Sequence, residues 1–108
     1  MKPIALLAAA TLGVALFAAH PVSAQNAGQI AAVRTGANCP RCNLFQADLS
    51  NLTLKGKTLA GARLRQADLS TAVMNRTSFA GGDLRDVNAY GAVLSAASFA
   101  RADLTNAS

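Results

Sequence analysis

The residues best suited to chemistry are those of Cys39-Pro-Arg-Cys42, two thiols separated by two residues. That spacing serves three kinds of chemistry: covalent haem attachment, metal ligation and thiol–disulfide exchange. Covalent c-type haem needs a His directly after the second Cys, and Asn43 stands there. A structural zinc site needs four ligands, generally Cys or His. The chain has two Cys and one His, His20, so only a dimer pooling its thiols would reach that count. A redox pair of the Cys-Pro-x-Cys type expects a βαβ pattern and a helix starting at the motif, and neither is legible here. The plainer reading is a disulfide between Cys39 and Cys42, formed in an oxidising compartment. So short a loop adds little chain entropy, and its use would be local geometry.

Nothing else in the chain supports catalysis. The sequence contains no Glu and no Trp, and its only His lies in the segment read below as a leader. General acid–base work near neutral pH most often uses His or a tuned carboxylate. No catalytic residue, no cofactor-binding residue and no metal site is expected. The leader begins with Met1-Lys2, continues through the apolar run from Ile4 to Ala19, and breaks at His20-Pro21. Val22-Ser23-Ala24 places small residues where a signal peptidase reads, so residues 1–24 read as a signal peptide cleaved before Gln25. The run is short for a spanning helix and lacks a charged stop, so no stable membrane anchor is expected after cleavage. It has neither a lipid-accepting Cys nor twin Arg, which points to a Sec-type route and a periplasmic or secreted product. Beyond Ala24, nine basic residues face five Asp.

The elements that must position the thiols follow from a repeat. From Cys42 onward a large apolar residue or its substitute recurs every fifth position: Leu44, Leu49, Leu54, Leu59, Leu64, Leu69, Met74, Phe79, Leu84, Ala89, Leu94, Phe99 and Leu104. Two residues before each sits a second, generally small one, and Ala takes seven of these thirteen positions. On an α-helix a step of five turns about 140° past a full circle, so the Leu side chains form no stripe. On a flat strand an odd step sends successive Leu to opposite faces. The chain must turn a corner about every five residues, so that each Leu meets a common axis. A period of twenty overlies the five, as in Gln46/Gln66, Asp48/Asp68, Val73/Val93 and Phe79/Phe99. Four pentapeptides per coil is its natural meaning.

Stretches such as Ala47-Asp-Leu-Ser-Asn51, Ala67-Asp-Leu-Ser-Thr71 and Ala102-Asp-Leu-Thr-Asn106 resemble the A(D/N)LXX unit of the pentapeptide-repeat family, here in an exported bacterial form. The resemblance covers residues 42–106, thirteen units in register. It implies an all-β fold, a right-handed quadrilateral β-helix of about three coils, with the central residue and the small one two before it inward. That makes the thirteen positions above the inward core ladder. It also puts Cys42 in an inward slot, so that a disulfide to Cys39 would pin the preceding segment to the first coil. Two positions fit poorly: Leu52 is oversized and Lys57 is charged, so geometry near residues 52–57 should be least regular. Residues 25–41 read as a cap, with a short helix over Gln29–Arg34 stopped at Gly36, and Ile30 and Val33 on the face toward the coil. Ala107-Ser108 follow the last unit with no cap sequence, which invites a homodimer through an uncapped C-terminal coil unless the sequence is truncated there.

The outer faces carry little that names a partner. One carries Arg63, Arg65, Arg85, Asp83, Asp86 and Asp103 in mixed charge; another is a bland face of Ser, Thr and Ala. The best-understood activity in the family the chain resembles, DNA mimicry toward a topoisomerase, needs a long acidic rod, and this one is short and basic. Direct nucleic-acid binding is not expected either, since basic residues alternate with Asp and Tyr90 is the lone exposed-type aromatic. The expectation is a non-enzymatic exported structural or protein–protein interaction module. The alternative is a periplasmic thiol-redox or metal-handling protein using the Cys39–Cys42 pair.

Overall fold

The computed structural model describes residues 25–108, and the leader reading of residues 1–24 lies outside them. A short helix, α1 (Ala27–Arg34), begins the described chain, and a coil with a corner every five residues follows it. Helix α1 starts two residues before the sequence expectation because Asn26 serves as its cap: the Asn26 side chain accepts from the Gln29 N–H. It ends in a Schellman arrangement, with Gly36 N–H donating to Val33 O at 2.9 Å and Ala37 N–H to Ala32 O at 3.1 Å. Gly36 takes φ +93°, a conformation open to Gly, and so stops the helix at the expected place.

Corners are made by one backbone device repeated. Every fifth residue from Arg41 to Asn106 has positive φ, thirteen of them two past an inward ladder position and Arg41 two past Cys39, and only four of these fourteen are Gly. A left-handed conformation costs a non-Gly residue about 1–2 kcal/mol, so something local must offset it. Two sets of hydrogen bonds do so. The N–H at most small inward positions reaches back to the preceding ladder carbonyl, as in Ala47 N–H to Leu44 O and Ala67 N–H to Leu64 O. The polar residue just before many ladder positions accepts from the N–H two residues on: Asp48 from Ser50, Asp68 from Ser70, Asn88 from Tyr90 and Asp103 from Thr105. That acceptor role explains why Asp, Asn, Ser and Thr recur there.

Successive coils stack in parallel with a register of twenty residues. The four sides of a coil are followed by the bridges Asn43↔Arg63↔Asp83↔Asp103, Asp48↔Asp68↔Asn88, Thr53↔Val73↔Val93 and Thr58↔Ser78↔Ser98. Each side contributes one bridged residue, so the all-β expectation needs correcting in one respect: pairing is by isolated bridges rather than by extended strands. Five residues per side, of which two or three turn the corner, leave no length for a strand. The ladder bonds are nonetheless short, such as Leu64 N–H to Asp83 O at 2.8 Å and Leu69 N–H to Asn88 O at 2.7 Å.

Inside the coil, Leu44, Leu49, Leu54, Leu59, Leu64, Leu69, Met74, Phe79 and Leu84 are buried, together with Ala47, Ala62, Ala67 and Ala72. Ala89, Leu94 and Phe99 are half-buried, and the Phe79 and Phe99 rings stack at 5.2 Å. Leu104 departs from the core: it is 44% exposed, because no described residue stacks beyond its coil.

Candidate functional site

Three places on the coil bring together groups beyond simple packing: the junction with α1, a charged cleft, and the apolar cavity beside Leu104. At the junction, side chains of the cap stand where an earlier coil would. Gln29 Oε1 accepts from Asn43 N–H at 2.7 Å, and Asn38 Oδ1 accepts from Thr58 N–H at 2.8 Å. Arg34 Nη1 donates to Asp48 O at 2.6 Å, and Gln25 Nε2 to Gln46 O at 2.9 Å. Three of these fill ladder positions of the first coil that have no coil beneath them. Val33 is fully buried over the core and Ile30 packs against it, so α1 seals that end by both apolar cover and hydrogen bonding.

The Cys39–Cys42 pair sits within this junction. Their Cα atoms are 5.5 Å apart with the two sulfurs in bonding contact, and both residues are buried. Cys39 N–H donates to Thr58 O at 3.0 Å and Arg41 N–H to Ala60 O at 2.8 Å, so the motif is itself the last piece of a coil side. Cys42 occupies an inward slot. Among the described residues no group of three or more His, Cys, Asp or Glu is placed to hold a metal ion, and no helix is long and apolar enough to cross a membrane.

Lys57 and Leu52 fall where irregular geometry was expected. Among the described corners from Cys42 to Ala107, the N–H of the inward small position returns to the preceding ladder carbonyl everywhere except at these two residues. Lys57 is half-buried rather than enclosed, which lets its ammonium reach water. The stacking survives, with Ser78 N–H donating to Lys57 O at 2.9 Å. The Leu54 carbonyl, which the Lys57 N–H leaves, accepts from the Thr77 hydroxyl at 2.6 Å. Thr77 lies one coil on, in the same inward slot, and is fully buried. The sequence marks Thr77 only as a small inward residue; its one clue is a hydroxyl twenty residues after the misfit Lys.

The charged face forms a cleft of about 290 Å³ lined by Phe45, Arg63, Arg65, Gln66, Asp83 and Arg85. The Arg85 guanidinium holds the Asp83 carboxyl below the usual carboxylate range, and Asp83 in turn raises the Arg85 pKa. Asp48 and Asp103 are likewise held low, first by the hydroxyls of Ser50 and Thr105, which donate to them at 2.6 Å each. Beside Leu104, a cavity of about 320 Å³ is lined by Leu84, Leu94, Phe99 and Leu104 among others. Among the described residues Tyr90 is the most exposed large apolar side chain, at 78%.

Stacked four-sided coils around an aliphatic axis, sealed at one end, define a solenoid repeat protein, in which each coil contacts only its neighbours. The repeats are similar to those of the pentapeptide-repeat family: the family model for pentapeptide repeats matches residues 58–88 and 72–108, with eight copies. That family implies a β-helix, which agrees with the twenty-residue parallel register. No curated protein matches the chain.

Proposed function

We propose that this protein is a non-enzymatic pentapeptide-repeat scaffold, exported by a Sec-type signal and cleaved before Gln25, that works by presenting its outer faces to a protein partner. The observation that carries this reading is where the reactive side chains are spent. The two Cys are buried in the junction, the buried hydroxyl of Thr77 is committed to a backbone carbonyl, and the Asp residues hold corners or pair with Arg. What remains free to act is surface. In this reading Cys39 and Cys42 form a structural disulfide that fastens the cap to the first coil. The burial of both residues favours that role over thiol exchange, which needs an accessible thiolate. Self-association of two copies through the apolar cavity beside Leu104 is the form of dimer proposed.

Intact-mass spectrometry of the exported protein, with and without reductant, tests the reading. The expected result is a chain starting at Gln25, lighter by two hydrogen atoms than its reduced form, and resistant to alkylation until strong reductant is added. Thiols that alkylate freely, or a retained metal, would overturn the scaffold in favour of redox or metal handling. A chain still carrying residues 1–24 would overturn export by cleavage. Sedimentation at micromolar concentration reads the dimer, and a monomer there removes that part.

A further inference from the structure

Charge on the Arg/Asp face is unevenly matched along the coil axis. Arg85 binds Asp83 twice, Nε to Oδ1 at 2.8 Å and Nη2 to Oδ2 at 2.7 Å, and lies 3.7 Å from Asp103. Arg65 reaches Asp86 only at 3.9 Å. One coil earlier, Arg63 takes the register position that Asp83 and Asp103 hold in later coils. Its guanidinium has neither a hydrogen bond nor an ion pair among the described residues. Arg63 and Arg65 line one cleft with the half-buried Phe45 and with Gln66, whose carbonyl oxygen already accepts from Gln46 Nε2 at 2.8 Å. The cleft therefore offers planar cationic donors with spare capacity, one amide donor and an aromatic wall.

We propose that this cleft is a carboxylate-binding site, in which Arg63 and Arg65 hold the anionic group and the Phe45 ring packs against the carbon skeleton behind it. Guanidinium donors match the two oxygens of a carboxylate in a fixed fork, which an ammonium cannot do. Asp83 does not oppose the anion, because both its oxygens are taken by Arg85. The volume of about 290 Å³ admits one such group with a ring or a short side chain, not a large cofactor. The carboxylate can belong to a free aromatic acid or to an acidic side chain of a protein. The second source deepens the scaffold reading and rests on it; the binding itself does not.

The test is an NMR titration of backbone amides in the purified exported protein at constant ionic strength. Benzoate and a blocked tetraglutamate peptide are the probes, with sodium chloride as control. Saturable shifts confined to Phe45, Arg63, Arg65 and Gln66 are expected, weakened roughly tenfold or more by Arg63→Gln. Arg76→Gln, at a residue that does not line the cleft, should leave them unchanged. Tighter binding of the peptide assigns the site to a protein's acidic side chains, and tighter binding of benzoate to a small acid. If neither probe saturates, if sodium chloride reproduces the shifts, or if Arg63→Gln binds as well, the site does not exist. The same spectra report folding of the variant, and Arg63→Lys, which keeps charge but loses the fork, serves as a second probe of the same point. Loss of binding here leaves the mass-spectrometric test of the scaffold untouched.

Discussion

The hydroxyl of Thr77 is the most demanding test of how this coil tolerates its one charged inward residue. Thr77→Val keeps the side-chain shape and removes only the donor to Leu54 O, a bond of 2.6 Å in a fully buried slot. The carbonyl has no corner N–H to fall back on, since Lys57 does not return to it. Leaving a buried acceptor unsatisfied costs about 1–3 kcal/mol, against at most about 0.8 kcal/mol gained from the added methyl. A net loss of roughly 1–2 kcal/mol is expected, read as a lower urea midpoint at unchanged slope by far-ultraviolet circular dichroism. The decisive measurement is the cycle with Lys57→Ala. An Ala at 57 restores the residue type found at seven other inward small positions, and its N–H should then bond Leu54 O as at those corners. The Thr77 hydroxyl becomes redundant in that background, so Thr77→Val should cost little there, giving a coupling of about 1 kcal/mol. If the two substitutions add within about 0.5 kcal/mol, or if Thr77→Val stabilises the protein, the claimed substitution of a hydroxyl for a lost corner bond is wrong.

Other perturbations probe the cap, the corners and the carboxylates. Gln29→Ala and Arg34→Ala each remove a side chain standing in for ladder bonds of the first coil, and each should lower stability by about 1 kcal/mol in urea titrations; Arg41→Ala, which leaves those bonds, should not. Gly81→Ala and Gly61→Ala both place a Cβ on a left-handed corner and should cost about 1 kcal/mol for the backbone alone. Gly61→Ala should lower the melting temperature more, because its Cβ would meet Arg41 Cγ at 2.9 Å whereas that of Gly81 meets open space. Acid should destabilise the fold: the carboxyls of Asp48, Asp83 and Asp103 are depressed in the folded state. Their contribution is therefore complete above the unfolded value of about 3.9 and lost as pH falls through the folded values. A urea midpoint that is flat from pH 6 down to pH 2 would contradict this.

The axis of the coil is written in single residues, because a Leu every fifth position has only one way to be buried. The same arithmetic singled out Lys57 and Leu52, since a misfit in a strict pattern is visible without coordinates. The helical cap was legible as well, through Ile30, Val33 and Gly36, although Asn26 moved its start. What could not be read were destinations of long polar side chains. Gln29, Arg34 and Asn38 lie outside the repeat, and their partners Asn43, Asp48 and Thr58 are fourteen or twenty residues away. Spacing along the chain carries no record of such contacts, because they depend on how α1 is laid across the coil. The charged cleft was half visible: the Arg and Asp columns follow from the period of twenty, whereas the unmatched state of Arg63 depends on which rotamers pair with which acid. Leu104 shows the limit of pattern in the other direction, for it obeys the repeat and yet stays open to solvent.

The seal made by α1 also has a consequence for stoichiometry. A stack of identical layers has two faces that could each receive another layer, and a molecule with both faces open could add copies without limit. Here the first coil has its backbone groups met by Gln29, Arg34 and Asn38 and its core covered by Val33. Among the described residues, the face near Leu104 is the one left without such cover. Two copies meeting there, as proposed above, would use the same patch twice, an isologous contact that closes on itself. In the dimer proposed above, the helix would act as a chain terminator, turning a geometry suited to fibres into one whose assembly stops at a pair.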